Sequence, residues 1–302
     1  MQLGAVVHAC TLCDMCFMTK CRYVPPHPFD LDFPHLMLRH RAVGNRNGKT
    51  LLADRELAKM DRNGRIGSVF SGLANWATSQ DNTATRSVME DALGIDACAH
   101  LPLFDATPLV NRAPALIPAP NPDGPAFGRK AVLNAGCHDN FNYDTPGEAA
   151  IKVLAHNGVR VRVEHPDFCG MPRFENGDLG AVVSAAERIS AFLVPLIEEG
   201  WDVVPLTTSC ALMLKFEWPL IEPDNTAMAT LSQHTFDVAE YVGRLARTDG
   251  LAPIDELPAT IGVHFACHAR AQNMGPKALE MLRLIPQAKP MLTERCSGHG
   301  GK

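Results

Sequence analysis

Four cysteines stand close together near the N-terminus, Cys10, Cys13, Cys16 and Cys21, with two residues between each of the first three and four before the last. A chain looping round a cubane of iron and sulfide presents thiolates at such short spacing, because each tight turn brings one more sulfur inward. The bacterial ferredoxin run is C-x2-C-x2-C-x3-C-P. Here one extra residue precedes Cys21, and Arg22 stands where proline is usual. Zinc also accepts four cysteines, but its sites generally split into two separated pairs. The spacing therefore predicts an iron–sulfur cluster, with zinc as the rival occupant and reactive or inert thiols as a third reading.

Five of the other six cysteines each follow a predicted strand: Cys137, Cys169, Cys210, Cys267 and Cys296. None is expected inside a helix or ahead of a strand. Ligands of open parallel sheets bind beyond the carboxyl ends of the strands, where the connecting loops converge. The five thiols are thus expected to share one edge of the fold, a placement that scattered core cysteines would not produce. Cys98 fits no spacing and reads as an ordinary small buried residue. His138 and His268 each follow a strand-end cysteine; metal ligation, a hydrogen bond to a cluster sulfur and a turn role are all compatible with that position. His299 is a weaker candidate, and His27, His35 and His40 read as surface or capping residues. No Ser/His/Asp elbow, phosphate-binding loop or dinucleotide fingerprint is present, so hydrolase, kinase and direct nicotinamide chemistry have no support. A metal-free alternative is thiol–disulfide chemistry between Cys169 and Cys210.

The elements that position these residues follow from periodicity. Strands are predicted over 131–135, 159–163, 201–204, 261–265 and 290–293, separated by helices over 148–156, 179–199, 236–247 and 276–285. Strands alternating with crossover helices give an α/β fold with a parallel sheet. The segment Leu133 to Gly170 matches Val263 to Gly298, an internal repeat in which Cys137 corresponds to Cys267 and Cys169 to Cys296. The first unit continues to Cys210 and the second ends before any counterpart. Upstream, Tyr23 to Pro28 is expected to be extended because each proline pushes its predecessor out of the helical region. A helix from Phe33 is opened by Pro34 and stopped at Gly44, and helical patches cover 49–60 and 85–93. Ser68 to Trp76 is apolar enough to touch a membrane or a partner, with burial the commoner outcome for such a run. Residues 101–129 are proline-rich and mark the clearest boundary.

With 46% hydrophobic and 20% charged residues and a net charge of −5, the chain reads as soluble and globular, with no basic block for nucleic acid. No apolar run of spanning length is found and the N-terminus does not read as a signal peptide. Ten cysteines without a secretion signal point to a reducing compartment, the cytoplasm by default.

With these residues assembled, the chain resembles the iron–sulfur oxidoreductases related to the C subunit of anaerobic glycerol-3-phosphate dehydrogenase. It is also similar to the cysteine-rich (CCG) subunit of heterodisulfide reductase. The resemblance covers nearly the whole chain and is carried by Cys10 to Cys21, Tyr23-Val-Pro-Pro-His27, Asp32-Phe-Pro-His-Leu-Met-Leu-Arg39 and the tandem cysteine units. It implies a mainly helical ferredoxin-like segment over 1–100, a linker over 101–129, a first CCG-type unit over 130–258 and a second, incomplete one over 259–302. It implies an electron-transfer subunit that connects a flavin-containing dehydrogenase or other redox partner to a quinone or disulfide acceptor. The implied location is the cytoplasm, at the inner face of the membrane through a partner or by peripheral contact. The implied cofactors are a 4Fe–4S cluster on Cys10, Cys13, Cys16 and Cys21 and a second iron–sulfur centre on Cys137, Cys169, Cys210, Cys267 and Cys296. Relatives carry two ferredoxin-type motifs, of which the first has no counterpart here; either Cys21 closes the site locally or the chain does not hold a complete cubane alone. Both ends look cut short, as in a fragment. The paired cysteines of the family are reduced to Phe168-Cys169-Gly170, Cys296-Ser-Gly298 and Thr207-Thr-Ser-Cys210, so a simpler cluster than the double-cubane type is expected. The rival function is a non-catalytic zinc-binding or scaffold protein with degenerate sites.

Overall fold

A computed structural model describes residues 3–13, 16, 21–24 and 26–295. Among these, five strands form two small parallel sheets in an otherwise helical α/β chain. Strands β1 (Lys130–Asn134), β2 (Arg160–Glu164) and β3 (Asp202–Pro205) lie in the order β2-β1-β3. Strands β4 (Thr260–His264) and β5 (Lys289–Thr293) pair with each other. All five lie within a residue or two of the periodicity-based expectation.

The central strand β1 is buried on both faces from Ala131 to Asn134, while the edge strand β2 leaves Arg160 and Arg162 exposed. Side chains alternate along β1 and β3, so Val132 and Val203 enter one core while Ala131, Leu133 and Val204 enter the other. Helix Leu179–Glu198 covers the first face with Val182, Ala186, Ile189, Leu193 and Ile197, the stripe its 3.6-residue period predicts. This helix is long and apolar enough to cross a membrane by length and composition alone, but that stripe is spent on the core. Helices Thr145–His156 and Val238–Thr248 cover the second face. The proline-rich stretch adds a helix there, Leu109–Leu116, with Leu109 and Ala113 buried.

The repeat is visible as structure. In both units a strand is followed by a five-residue helix opening on the cysteine, then a second helix, then a parallel strand. Short helices Cys137–Phe141 and Cys267–Ala271 occupy corresponding places. Among the described residues the second sheet has two strands, with Val263 as its one buried residue.

Upstream, helix Phe33–Arg46 is capped by Asp32, whose carboxylate accepts from the His35 backbone N–H at 3.1 Å. It runs through Gly44, which has open space around it, and ends at Asn47 with Gly48 at φ +68 taking the turn. The expected extended stretch before it is a succession of turns, closed by Leu31 N–H donating to the Tyr23 carbonyl. Pro25 lies outside the described residues.

The expectation of burial for Ser68 to Trp76 holds for Ser68 and fails for the large apolar residues that follow it. Helix Met60–Val69 turns its smallest residues, Gly64 and Gly67, against Phe141 and Phe104, where a Cβ would overlap either ring. Its large apolar residues and those of helix Ser71–Thr78 therefore face outward. Val69, Phe70, Leu73 and Trp76 are 59–75% exposed.

Candidate functional site

The order β2-β1-β3 places a topological switch at β1, since the chain leaves β1 to one side for β2 and returns across it to β3. A crevice opens at such a point beyond the carboxyl ends of the strands. The loop after β1 delivers Cys137, the loop after β2 delivers Cys169, and the short helix Thr208–Leu212 after β3 delivers Cys210. These three of the five predicted thiols come together. The Cys210 S–H donates to the Cys169 sulfur at 3.1 Å, with both residues buried. Cys137 is half-buried and close enough to Cys169 and Cys210 for their charges to interact.

Cys267 opens the matching helix of the second unit and is buried. That helix packs on Thr208–Leu212, with His268 Nδ1 2.8 Å from Ser209 Oγ and Gln272 Nε2 donating to the Thr208 carbonyl. Cys296 and His299 lie outside the described residues, so the fifth thiol has no described place. One expectation is corrected: Cys137 and Cys267 begin short helices and Cys210 sits within one, because the chain turns helical directly after each strand.

The site is held by residues that periodicity did not single out. The Asp139 carboxylate accepts from the Gly136 backbone N–H at 3.1 Å and from the Thr207 hydroxyl, tying the β1 loop to the β3 loop. Gly136 is required there, since a Cβ would lie 2.9 Å from the Cys210 sulfur and 3.0 Å from Asp139 Oδ2. His165 directly follows β2, with Nδ1 2.7 Å from the Ala135 carbonyl and Nε2 3.0 Å from Asp61. Asp61 comes from helix Met60–Val69, which reaches this rim by packing on Cys137–Phe141 through Gly64. His165 was open to the same strand-end rule that selected the cysteines; Asp61 left no such trace, being over a hundred positions away in the chain.

Electrostatics follow from burial. Cys137 is pushed up to about 12, first by burial and then by Cys169 and Asp61 nearby. The Cys210 hydrogen bond holds the Cys169 thiol below its ordinary value, helped by the Met171 backbone N–H. That same bond, with burial, raises Cys210. Burial also raises Asp139, against the hydrogen bond from Thr207.

The fit of this rim to a metal can be judged from the sulfur spacing. Two thiolates on one tetrahedral ion, with bonds of about 2.3 Å, stand about 3.8 Å apart. Ligands on different irons of a cluster are farther apart still. Cys169 and Cys210 at 3.1 Å are closer than either arrangement, so the donor types suit a metal and the spacing of this pair does not. Among the described residues no three His, Cys, Asp or Glu side chains are placed to hold one ion.

Cys10 follows helix Leu3–Ala9 and packs against the core that contains Cys169 and Cys210. Arg41 fixes this corner, donating to the carbonyls of Val7, Cys10 and Glu175. Cys13 and Cys21 are half-buried and Cys16 is exposed, with the Cys21 N–H donating to the Cys16 carbonyl. Residues 14, 15 and 17–20 of this run lie outside the described residues. Cys98, expected to be buried, is exposed. His138 is exposed and rests beside the Tyr143 ring. His27 lies in a ring cluster with Tyr23 and Phe29. His35, expected as a surface or capping residue, instead bridges Asp32 at 2.6 Å and Glu217 at 3.0 Å.

No protein-family model, curated protein or solved structure matches this chain.

Proposed function

We propose that this chain is an electron-transfer protein of the iron–sulfur type. Cys10, Cys13, Cys16 and Cys21 would hold a 4Fe–4S cluster, which supplies one-electron chemistry when bound, and the strand-end thiols form a second redox site. The resemblance to dehydrogenase and heterodisulfide reductase subunits suggests a flavin-containing donor and a quinone or disulfide acceptor. A cytoplasmic setting at a membrane face, reached through a partner, accords with it.

The observation that carries the reading is the close spacing of Cys10, Cys13, Cys16 and Cys21, with Cys10 packed against the core that also holds the paired thiols Cys169 and Cys210. Electron transfer needs no general acid or base at a substrate, only redox groups close together in a medium of low polarity. The test is low-temperature electron paramagnetic resonance of anaerobically purified protein after dithionite reduction. A reduced-cluster signal that disappears in Cys13→Ser and persists in Cys98→Ser is expected. Absence of any such signal in the wild type contradicts the proposal.

A further inference from the structure

We propose that Cys169 and Cys210 form a metal-independent dithiol–disulfide couple, a two-electron redox site at the carboxyl rim of the first sheet. It does not rest on the cluster reading, because it requires only the two thiols. Their sulfurs are 3.1 Å apart with the Cys210 S–H directed at Cys169. That is closer than two ligands of one tetrahedral ion, and about 1 Å from the bonded distance.

The surroundings hold the pair in place. The Trp218 indole N–H donates to the Cys169 carbonyl at 3.3 Å, and Gly170, at φ +87, turns the chain at once into helix Met171–Glu175. On the Cys210 side the β1 loop presents Gly136, where a Cβ would lie 2.9 Å from the Cys210 sulfur, so the absence of a side chain there leaves the thiol its place. Because the two cysteines come from loops after different strands, oxidation would join the ends of β2 and β3 across β1.

Both residues are 4–5% exposed, so a small oxidant suits the site better than a bulky disulfide, and a hydroperoxide is the class assigned. The Cys169 sulfur attacks the terminal peroxide oxygen; the O–O bond breaks, the alcohol or water departs, and Cys169 becomes a sulfenic acid. The Cys210 sulfur then displaces the hydroxyl as water and the S–S bond forms. Two thiols and one ROOH give one disulfide, ROH and water, with two electrons passing from sulfur to peroxide oxygen. A dithiol reductant reverses the oxidation by exchange.

The experiment treats the full-length, anaerobically purified chain with equimolar hydrogen peroxide, alkylates the remaining thiols and maps peptides without reduction, with iron measured before and after. The expected result is a linked peptide pair carrying Cys169 and Cys210, lighter by about 2 Da than the two thiols, reversed by dithiothreitol with iron content unchanged. In Cys210→Ser, oxidation should stop at a Cys169 sulfenic acid that dimedone traps; if that variant does not fold, the wild-type map decides alone. Persistence of both residues as alkylatable thiols after exposed Cys98 has oxidised overturns the proposal. Release of iron in step with their oxidation overturns it too, since the pair would then be ligands. A link that forms in iron-free protein supports the couple and removes the cluster reading, so the two fail separately.

Discussion

Replacing His35 with glutamine probes the electrostatic tie between the N-terminal helices and the α/β core. The imidazole lies 2.6 Å from Asp32 and 3.0 Å from Glu217, whose side chain is only 7% exposed. Hydrogen bonds that the imidazole donates first to Asp32 and then to Glu217 raise the His35 pKa to about 10, against the downward pull of burial. Relative to an ordinary value near 6.5, at 1.36 kcal/mol per unit, the ceiling on this contribution is about 5 kcal/mol. The ring is partly open to solvent, and screening reduces the expectation to about 2 kcal/mol. Because the folded pKa lies above the unfolded one, the stabilisation is complete below about pH 6.5 and is lost as pH rises through about 10. Urea unfolding of wild type and His35→Gln should therefore differ by about 2 kcal/mol near pH 6, with the gap shrinking towards pH 10. A gap that stays constant, or widens with pH, refutes the assignment of His35 as a charged bridge.

Gly136→Ala puts a methyl group 2.9 Å from the Cys210 sulfur, and forcing the two loops apart should cost about 1–3 kcal/mol in chemical denaturation while making Cys210 more accessible to alkylation. Arg41→Met removes the donors to the Val7, Cys10 and Glu175 carbonyls, so hydrogen exchange over residues 4–12 should accelerate while protection in β1 is unchanged. Leu73→Ser, at a residue 65% exposed, should alter stability by no more than about 0.5 kcal/mol; a loss of several kcal/mol would mean the outward face of helix Ser71–Thr78 is misassigned.

The α/β core was legible because its signals are local. Val161 and Val163 alternate with Arg160 and Arg162 on an edge strand, and the stripe from Val182 to Ile197 repeats at helical spacing. The strand-end rule placed Cys137, Cys169 and Cys210 at one rim before any coordinate was needed, because parallel topology sends those loops to the same edge. What stayed hidden depends on partners distant in sequence. Asp61 meets His165 and His35 meets Glu217 only after the N-terminal helices dock on the sheet. The outward turn of Phe70, Leu73 and Trp76 was equally hidden: a run of apolar residues reads the same whichever way it faces, and Gly64 and Gly67, just ahead of it, took the inner face. Gly44 looked like a helix stop, yet the left-handed conformation that ends the helix is taken by Gly48.

The most direct measurement of the central claim is metal and acid-labile sulfide content of the anaerobically purified full chain, with iron and zinc determined on the same sample. The account predicts about four irons with matching sulfide on Cys10, Cys13, Cys16 and Cys21. Stoichiometric zinc with near-zero iron and sulfide contradicts it.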